Sequence, residues 1–501
     1  MRLSTKHANQ QTQILEDFSG GLNKAASAGS IAANELSDVL NMELDSATSH
    51  LKTVAGTVDV MQFTGKTIYA AAWDEINGKA VLVDTDRTVY VTDLAATTQV
   101  GTLTGKLYPI CASWEDGLLI ASGGHLQYYN GQTLETLTAS PDNCRGVYVR
   151  SGRVVVFTEN EVHYSAVGDE TSWTQDSNDD ASSVWIEAGY KDGGQFIGMA
   201  SLSSDIIILK NNRRVYRLNG EYPNWQIAEI SRNVECVGRR SFDAMANNLI
   251  VLGKYEVQAL STTQDYGSIK PQNIGSKIVP ELAAMPDDAI VRYLPPLQQV
   301  WAIGNSGNVL VYDVTHGSWF KRRFNSDVVD VVPVGDAVYI IKPDRVSKLS
   351  DSSAQDAGKE MLWRFSARQL VSQHDFLLKR TQVTVVPCRA DMYGGQVSVG
   401  AVVIGLPLAS QSFKIYHNHT KIHNNRFKVN GAVKARGVYA RGEKIYQNPT
   451  PIYNNHQKIF SRREVTKESR NVYRDKYLSV QGHGSSGGFI LNSIVLDIVE
   501  V

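Results

Sequence analysis

The chain has 501 residues, 42% of them hydrophobic and 20% charged, which is the composition of an ordinary globular protein with room for two or three domains. Its formal net charge of −1 excludes neither an acidic nor a basic partner, because it conceals a strong internal asymmetry. No apolar run reaches the ~20 residues of a membrane-spanning helix, and the polar stretch Met1–Gln13 lacks the apolar centre of a signal peptide. The four cysteines, Cys111, Cys144, Cys236 and Cys388, have no metal-ligand spacing and read as reduced thiols of a protein made in a cytosol.

Residues 1–17 are polar and are expected to order only against a partner. A small-residue stretch, Asp17–Asn23, precedes Ile31–Leu44. In the latter, Asn34 is a candidate N-cap and Leu36, Val39 and Leu40 share one face of an expected short helix. Leu51–Thr57 then reads as a strand and turn.

From Val81 onward one hairpin recurs. The run Asp205–Gly220 shows it best: Ile206–Leu209 is a buried apolar strand, Asn211-Asn212 a turn pair that tolerates positive φ, and Val215–Leu218 an alternating return strand. The same pattern starts at Val81, Leu118, Val154, Leu249, Val300 and Val338, spaced some 36 to 52 residues apart. A strand-only repeat of about 40–50 residues predicts a β-propeller of six or seven blades, since one such sheet cannot bury both of its faces alone. The expected division is an N-terminal arm over 1–66, the propeller over 67–350, and a C-terminal β-sandwich-like domain over 351–501. In that last domain Asp351–Lys359 is a polar linker, and 362–368, 379–386, 396–404 and 489–501 read as strands.

Within the C-terminal domain, residues 412–476 form a basic insertion with fifteen Lys/Arg against four acidic residues. Lys414, Lys421, Arg426, Lys428, Arg436, Arg441, Lys444, Arg462 and Arg463 are its candidate contact residues, interleaved with Tyr416, Phe427, Tyr439, Tyr446, Tyr453 and Phe460. Basic residues neutralise phosphates and aromatics stack on bases, so transient contact with DNA is one reading. Docking on an acidic protein neighbour is the other reading, and it is favoured.

Two further motifs invite chemistry. Asp176, Asn178, Asp180 and Glu187 fit the D-x-N-x-D…E calcium loop, but Ala181 stands where the template has Gly, and the flanks are β-like rather than helical. An exposed inter-blade loop is the favoured account, and calcium is the sole cofactor the motifs raise. Gly482-His-Gly484-Ser-Ser-Gly487 satisfies G-x-G-x-x-G, yet no helix can follow it in the remaining β-branched residues, so it reads as a turn. His417, His419, His423 and His456 read as surface histidines. No Ser/His/Asp order with a nucleophile-elbow Gly-x-Ser-x-Gly and no sialidase-type repeat appears, and a non-enzyme is expected.

Three segments carry a family resemblance. They are Phe18-x-Gly-Gly-Leu-Asn23 with Ile31-x-x-Asn-Glu-Leu-x-Asp-x-Leu-Asn-Met-Glu-Leu44 and Leu51-Lys-x-x-x-Gly-Thr57, then Val215–Gly220 with Val237–Gly253, and finally Tyr477–Leu496. In this order they resemble the tail nozzle, or packaged-DNA stabilisation, proteins of short-tailed phages (podoviruses). Residues 412–470 have no counterpart in that pattern. The resemblance implies a structural virion protein made in the host cytoplasm and assembled as a homo-hexamer on the tail. It would lie below the portal and adaptor proteins, beside tail fibres or spikes, and close the DNA channel until ejection. The rival expectation is a receptor-binding or glycan-degrading propeller at the tail tip.

Overall fold

The structure is a computed structural model and describes residues 10–74, 78–202, 205–220, 225–245, 247–262, 269–388, 395–406, 439–440, 443–444, 465–485 and 488–500. The chain divides into two compact units. One comprises Met1–Thr57, Ser318–Arg322 and Ser350–Val501; the other comprises Val58–Gly317 and Arg323–Leu349. Helix among the described residues is confined to Ser276–Ile278, Val279–Ala283 and Pro295–Leu297.

The second unit is a seven-bladed propeller. Among the described residues, seven four-stranded antiparallel sheets follow one another along the chain. Their innermost strands are Ile68–Asp74, Ile110–Trp114, Gly146–Arg150, Phe196–Leu202, Phe242–Met245, Ile290–Leu294 and Asp330–Val334, which number blades one to seven. Each innermost strand touches that of the next blade, and the seventh touches the first, so the ring closes. The seven hairpins read from the sequence are the second and third strands of the seven blades, which settles the blade number at seven.

Apolar clusters lie between blades. Val81, Val83 and Val89 of blade one meet Leu118, Ile120 and Tyr129 of blade two, and Val155 and Tyr164 of blade three meet Ile206, Ile208 and Leu218 of blade four. Burying such side chains stabilises each junction by roughly 1.5–3 kcal/mol per residue, an upper figure against a compact unfolded chain. Blade seven takes its outer strand, Gly56–Gln62, from far upstream. Asp59 anchors that closure by bonding Arg345 Nη1 at 2.7 Å and Ser347 Oγ at 2.8 Å.

The first unit is a sandwich of two sheets. One runs Met42–Leu44, Leu51–Thr53, Phe489–Glu500, Leu370–Pro387 and Val465–Ser469, with Gln10–Leu15 added to Phe489–Glu500 and Tyr473–Leu478 added to Leu370–Pro387. The other runs Gly21–Leu22, Glu35–Leu40, Leu362–Ala367, Val480–Ser485, Gly395–Val399 and Val402–Gly405. Across the layers the Trp363 ring stands edge-on to Phe489, centroids 5.0 Å apart.

Four local expectations are corrected. The expected helix at Asn34 is the strand Glu35–Leu40. A bulge between Leu36 and Asp38 inserts one residue, so Leu36 and Val39, three apart, both face the core and imitate helical spacing. Residues 10–15 of the polar N-terminal segment are a strand paired with residues 494–499 of this same chain. In the Asn211-Asn212 turn it is Arg213 that takes positive φ, at 66°. The Asn212 side chain accepts from Arg214 N and donates to the Asp192 carbonyl.

The fourth correction concerns Gly482 and Gly484, which lie in the strand Val480–Ser485 rather than in a turn. The Phe365 and Trp363 rings lie over them: a Cβ on Gly482 would fall 2.2 Å from the Phe365 ring, and one on Gly484 2.7 Å from Trp363. Gly482→Ala should therefore destabilise the first unit by about 1–3 kcal/mol through overpacking. Phe365→Leu on the same chain should recover part of that loss in thermal unfolding. Equal melting of Gly482→Ala and wild type would show that the ring moves aside at no cost.

Candidate functional site

The chemistry-bearing residues converge inside the propeller unit around a cavity of about 400 Å³. Trp73 of blade one, Cys111 of blade two, Met199 of blade four, Asp243 of blade five, Arg292 of blade six and Asp330 of blade seven all line it from innermost strands. Tyr108 enters from the segment before blade two, and Arg239 with Arg240 from the segment before blade five. The two connections face the same cavity because innermost strands run side by side around it.

Charge within the cavity is organised by one tight pair. Arg292 Nε and Nη2 donate to the two oxygens of Asp330, each at 2.9 Å, while its Nη1 donates to the Val291 carbonyl. The Asp330 side chain is 2% exposed and that of Arg292 26%, so the carboxylate is sealed while the arginine side chain keeps some open surface. Burial opposes the charge on Arg292, but Asp330 and Asp243 more than offset it and hold its pKa above the ordinary value. Tyr108 Oη lies 3.5 Å from Asp330 and accepts from Ala71 N at 3.3 Å. Its phenol is pushed well above its usual pKa, by burial first and by Asp330 second, so it stays neutral. Burial likewise pushes the Cys111 thiol up to about 12, which leaves it a poor nucleophile.

A second group is less well matched. Arg239 crosses the cavity from the blade-five side, its Nη1 donating to the Tyr108 carbonyl at 3.1 Å and its Nη2 to the Arg145 carbonyl. Arg240 lies flat on the Tyr108 ring, 3.3 Å from the centroid. Asp243 accepts from two backbone groups, Ala244 N at 2.9 Å and Tyr293 N at 2.7 Å. Its carboxyl is held above its ordinary pKa, chiefly by desolvation. Burial, then repulsion from Arg145 and Arg240, brings Arg239 down to about 10.

The residues singled out from sequence lie elsewhere. Asp176 and Asn178 share an Asx turn, in which Asp176 Oδ1 accepts from Asn178 N at 2.9 Å. The Asp180 carbonyl accepts from Arg153 Nη2, and Glu187 lies in the outer strand of blade three, opposite Glu161. Among the described residues no three His, Cys, Asp or Glu side chains are grouped where they could hold a metal. Lys414, Lys421, Arg426, Lys428, Arg436, Arg441, Arg462 and Arg463 lie outside the described residues; Lys444 lies in the short strand Glu443–Lys444, its side chain undescribed. All four cysteines are free; Cys144 and Cys236 are buried, Cys111 and Cys388 partly so.

Sequence reasoning missed the cavity cluster. Its signal was Arg239-Arg240 ahead of Phe242-Asp243, two adjacent cations immediately before a first strand. That position faces the ring centre once a blade is formed.

No family model matches this sequence, and no curated protein does either. Solved structures similar to it include the β-propeller domain of Cps50 (Swd1) from Myceliophteria thermophila, 10% identical, covering 60% of this chain and 99% of that one with a TM-score of 0.42. BamB from Moraxella catarrhalis is 10% identical, with coverage of 62% and 93% and a TM-score of 0.39. The seven four-stranded sheets closed in a ring make the chain a β-propeller protein.

Proposed function

We propose that this chain is a structural subunit of a short phage tail, a nozzle protein that extends and closes the DNA channel and retains packaged DNA until ejection. What supports the reading is the ordered set of sequence motifs that resemble those of that family. Their N-terminal residues form one interlocked knot: Gly20 N donates to the Asn34 carbonyl, Asn34 Nδ2 to Ser19 Oγ, and both Asn23 Nδ2 and Ala32 N to Glu35 Oε2. Phe18, Leu22 and Leu36 of the same motif are buried. Those identities are therefore ones that a packed element needs, which makes a chance match a poorer account of them.

In this reading the protein is not an enzyme, resides in the virion tail, and meets portal-adaptor proteins and tail fibres or spikes. A DNA duplex does not fit through a 400 Å³ cavity crossed by Arg239, so the DNA path runs between copies of the chain, six in the family resembled. Heterologous contacts between copies close such a ring. The basic segment 412–476 then docks on an acidic tail partner.

Particles made without this protein should package DNA and then lose it, with nuclease-sensitive genome measured after filling. Particles that hold their genome without it would overturn the gatekeeping role. A chain that cleaves or binds soluble host glycans would point instead to a receptor-binding propeller.

A further inference from the structure

We propose that the propeller cavity is a binding site for a small organic anion, whose carboxylate or phosphate is held by Arg239 and Arg240 and whose body lies among Trp73, Pro109, Met199 and Phe242. This site is separate from the proposed tail role and does not depend on it.

The argument begins with charge. Three guanidiniums face the cavity against two carboxylates. Asp330 is fully engaged by Arg292, with further bonds to Val331 N and Tyr108 Oη. Asp243 is committed to two backbone donors. Arg239 and Arg240 thus share no carboxylate in any salt bridge among the described residues. Arg239 Nε and Arg240 Nη1 are buried and meet no acceptor among the described residues. Leaving such donors unmade is costly, and for a charged group more so. Arg145 and Arg240 also repel the charge on Arg239, and an anion bound beside these donors would relieve both costs.

Preorganisation supports the same reading. Arg240 is fixed by its stack on Tyr108, and Arg239 by its two carbonyl acceptors, so neither must be ordered on binding. The volume, about 400 Å³, falls in the range of small-molecule sites, and its walls combine apolar rings with a few convergent polar groups. The Arg292 side chain, 26% open, faces free space in the cavity rather than packed atoms. Free phosphate would satisfy the guanidiniums but leave the apolar wall unused, which is why an organic body is assigned.

The test is calorimetric titration of the full chain at low ionic strength with phenyl phosphate, inorganic phosphate and phenol. Phenyl phosphate should bind one to one, inorganic phosphate more weakly, and phenol not at all. Arg240→Met keeps an apolar stem over Tyr108 and should weaken phenyl phosphate binding by about tenfold or more. Asp243→Asn removes a repelling carboxylate and should tighten it, which keeps the test open should Arg240→Met fold poorly. Absence of binding by the wild type overturns the site, as does unchanged affinity in Arg240→Met. Equal affinity for phenol and phenyl phosphate overturns the anion, and equal affinity for both phosphates overturns the organic body.

Discussion

Asp192→Ala should destabilise the propeller unit by about 3–5 kcal/mol, the cost of leaving a buried charge without its partner. Lys210 and Asp192 meet at 2.7 Å with side chains only 1% and 5% exposed. Without the carboxylate, the ammonium retains the Ala188 carbonyl at 3.0 Å and the faces of the Phe196 and Tyr216 rings. The substitution also strips an acceptor from Tyr216 Oη, at 2.8 Å, and from Gly194 N. The double variant Asp192→Ala/Lys210→Met should recover most of the loss, because an apolar side chain needs no counter-charge. Urea unfolding of the two variants decides it. A loss below about 1 kcal/mol for Asp192→Ala alone would mean that the ammonium reaches water or another acceptor.

The same pair gives an acid dependence. Burial works against the Asp192 carboxylate, but Lys210, Gly194 N and Tyr216 together hold its pKa below the ordinary value. A carboxyl depressed in the folded state contributes its full stabilisation above the unfolded value, about 3.9. That contribution is lost as the pH falls through the lower folded value. Wild-type stability should therefore decline below about pH 4 more steeply than that of the double variant, which lacks this titration.

Trp301→Ala is expected to cost about 3–5 kcal/mol through the cavity it leaves. Trp301 is wholly buried in the second strand of blade six, its Nε1 donating to Gln299 Oε1 at 2.8 Å and its ring 6.0 Å from that of Phe324. Trp301→Phe fills more of the space, yet removes the hydrogen bond to Gln299, so its loss should be smaller without vanishing. Guanidinium unfolding followed through the remaining tryptophans measures both.

The blades were legible where both faces of a strand are covered. Gly117–Ala121, Arg153–Phe157 and Asp205–Lys210 are buried at every position and read as compact apolar runs. Outer strands such as Thr97–Thr102 and Gln226–Ser231 are half in solvent and carry mixed residues, so they gave no periodic signal. The strand closing blade seven was hidden for a related reason: from Val58 to Asp59 and Val60 it is exposed, and its partner lies nearly 290 positions away. The cavity residues were illegible because the fold alone assembles them. Tyr108 and Asp330 are 222 positions apart, and nothing local marks either as facing the ring centre. The misread at Leu36 has a different origin, since one bulged residue converts a period of two into a spacing of three.

The strand Phe489–Glu500 holds both Gln10–Leu15 and Leu51–Thr53, and Thr12 Oγ1 meets Asp497 Oδ1 at 2.8 Å across 485 positions. A ribosome makes the early partners first and the late strand last. At roughly 5–20 residues per second, the N-terminal strands wait on the order of a minute before their template exists. During that interval the blades can close one after another, while Met42, Leu44 and Leu51, all buried in the finished protein, wait on the nascent chain for the strand that completes their sheet. Premature release before codon 489 would leave Gln10–Leu15 and Leu51–Thr53 permanently without the strand they pair with, so a truncated product should be captured by chaperones or proteases rather than accumulate as a soluble fragment.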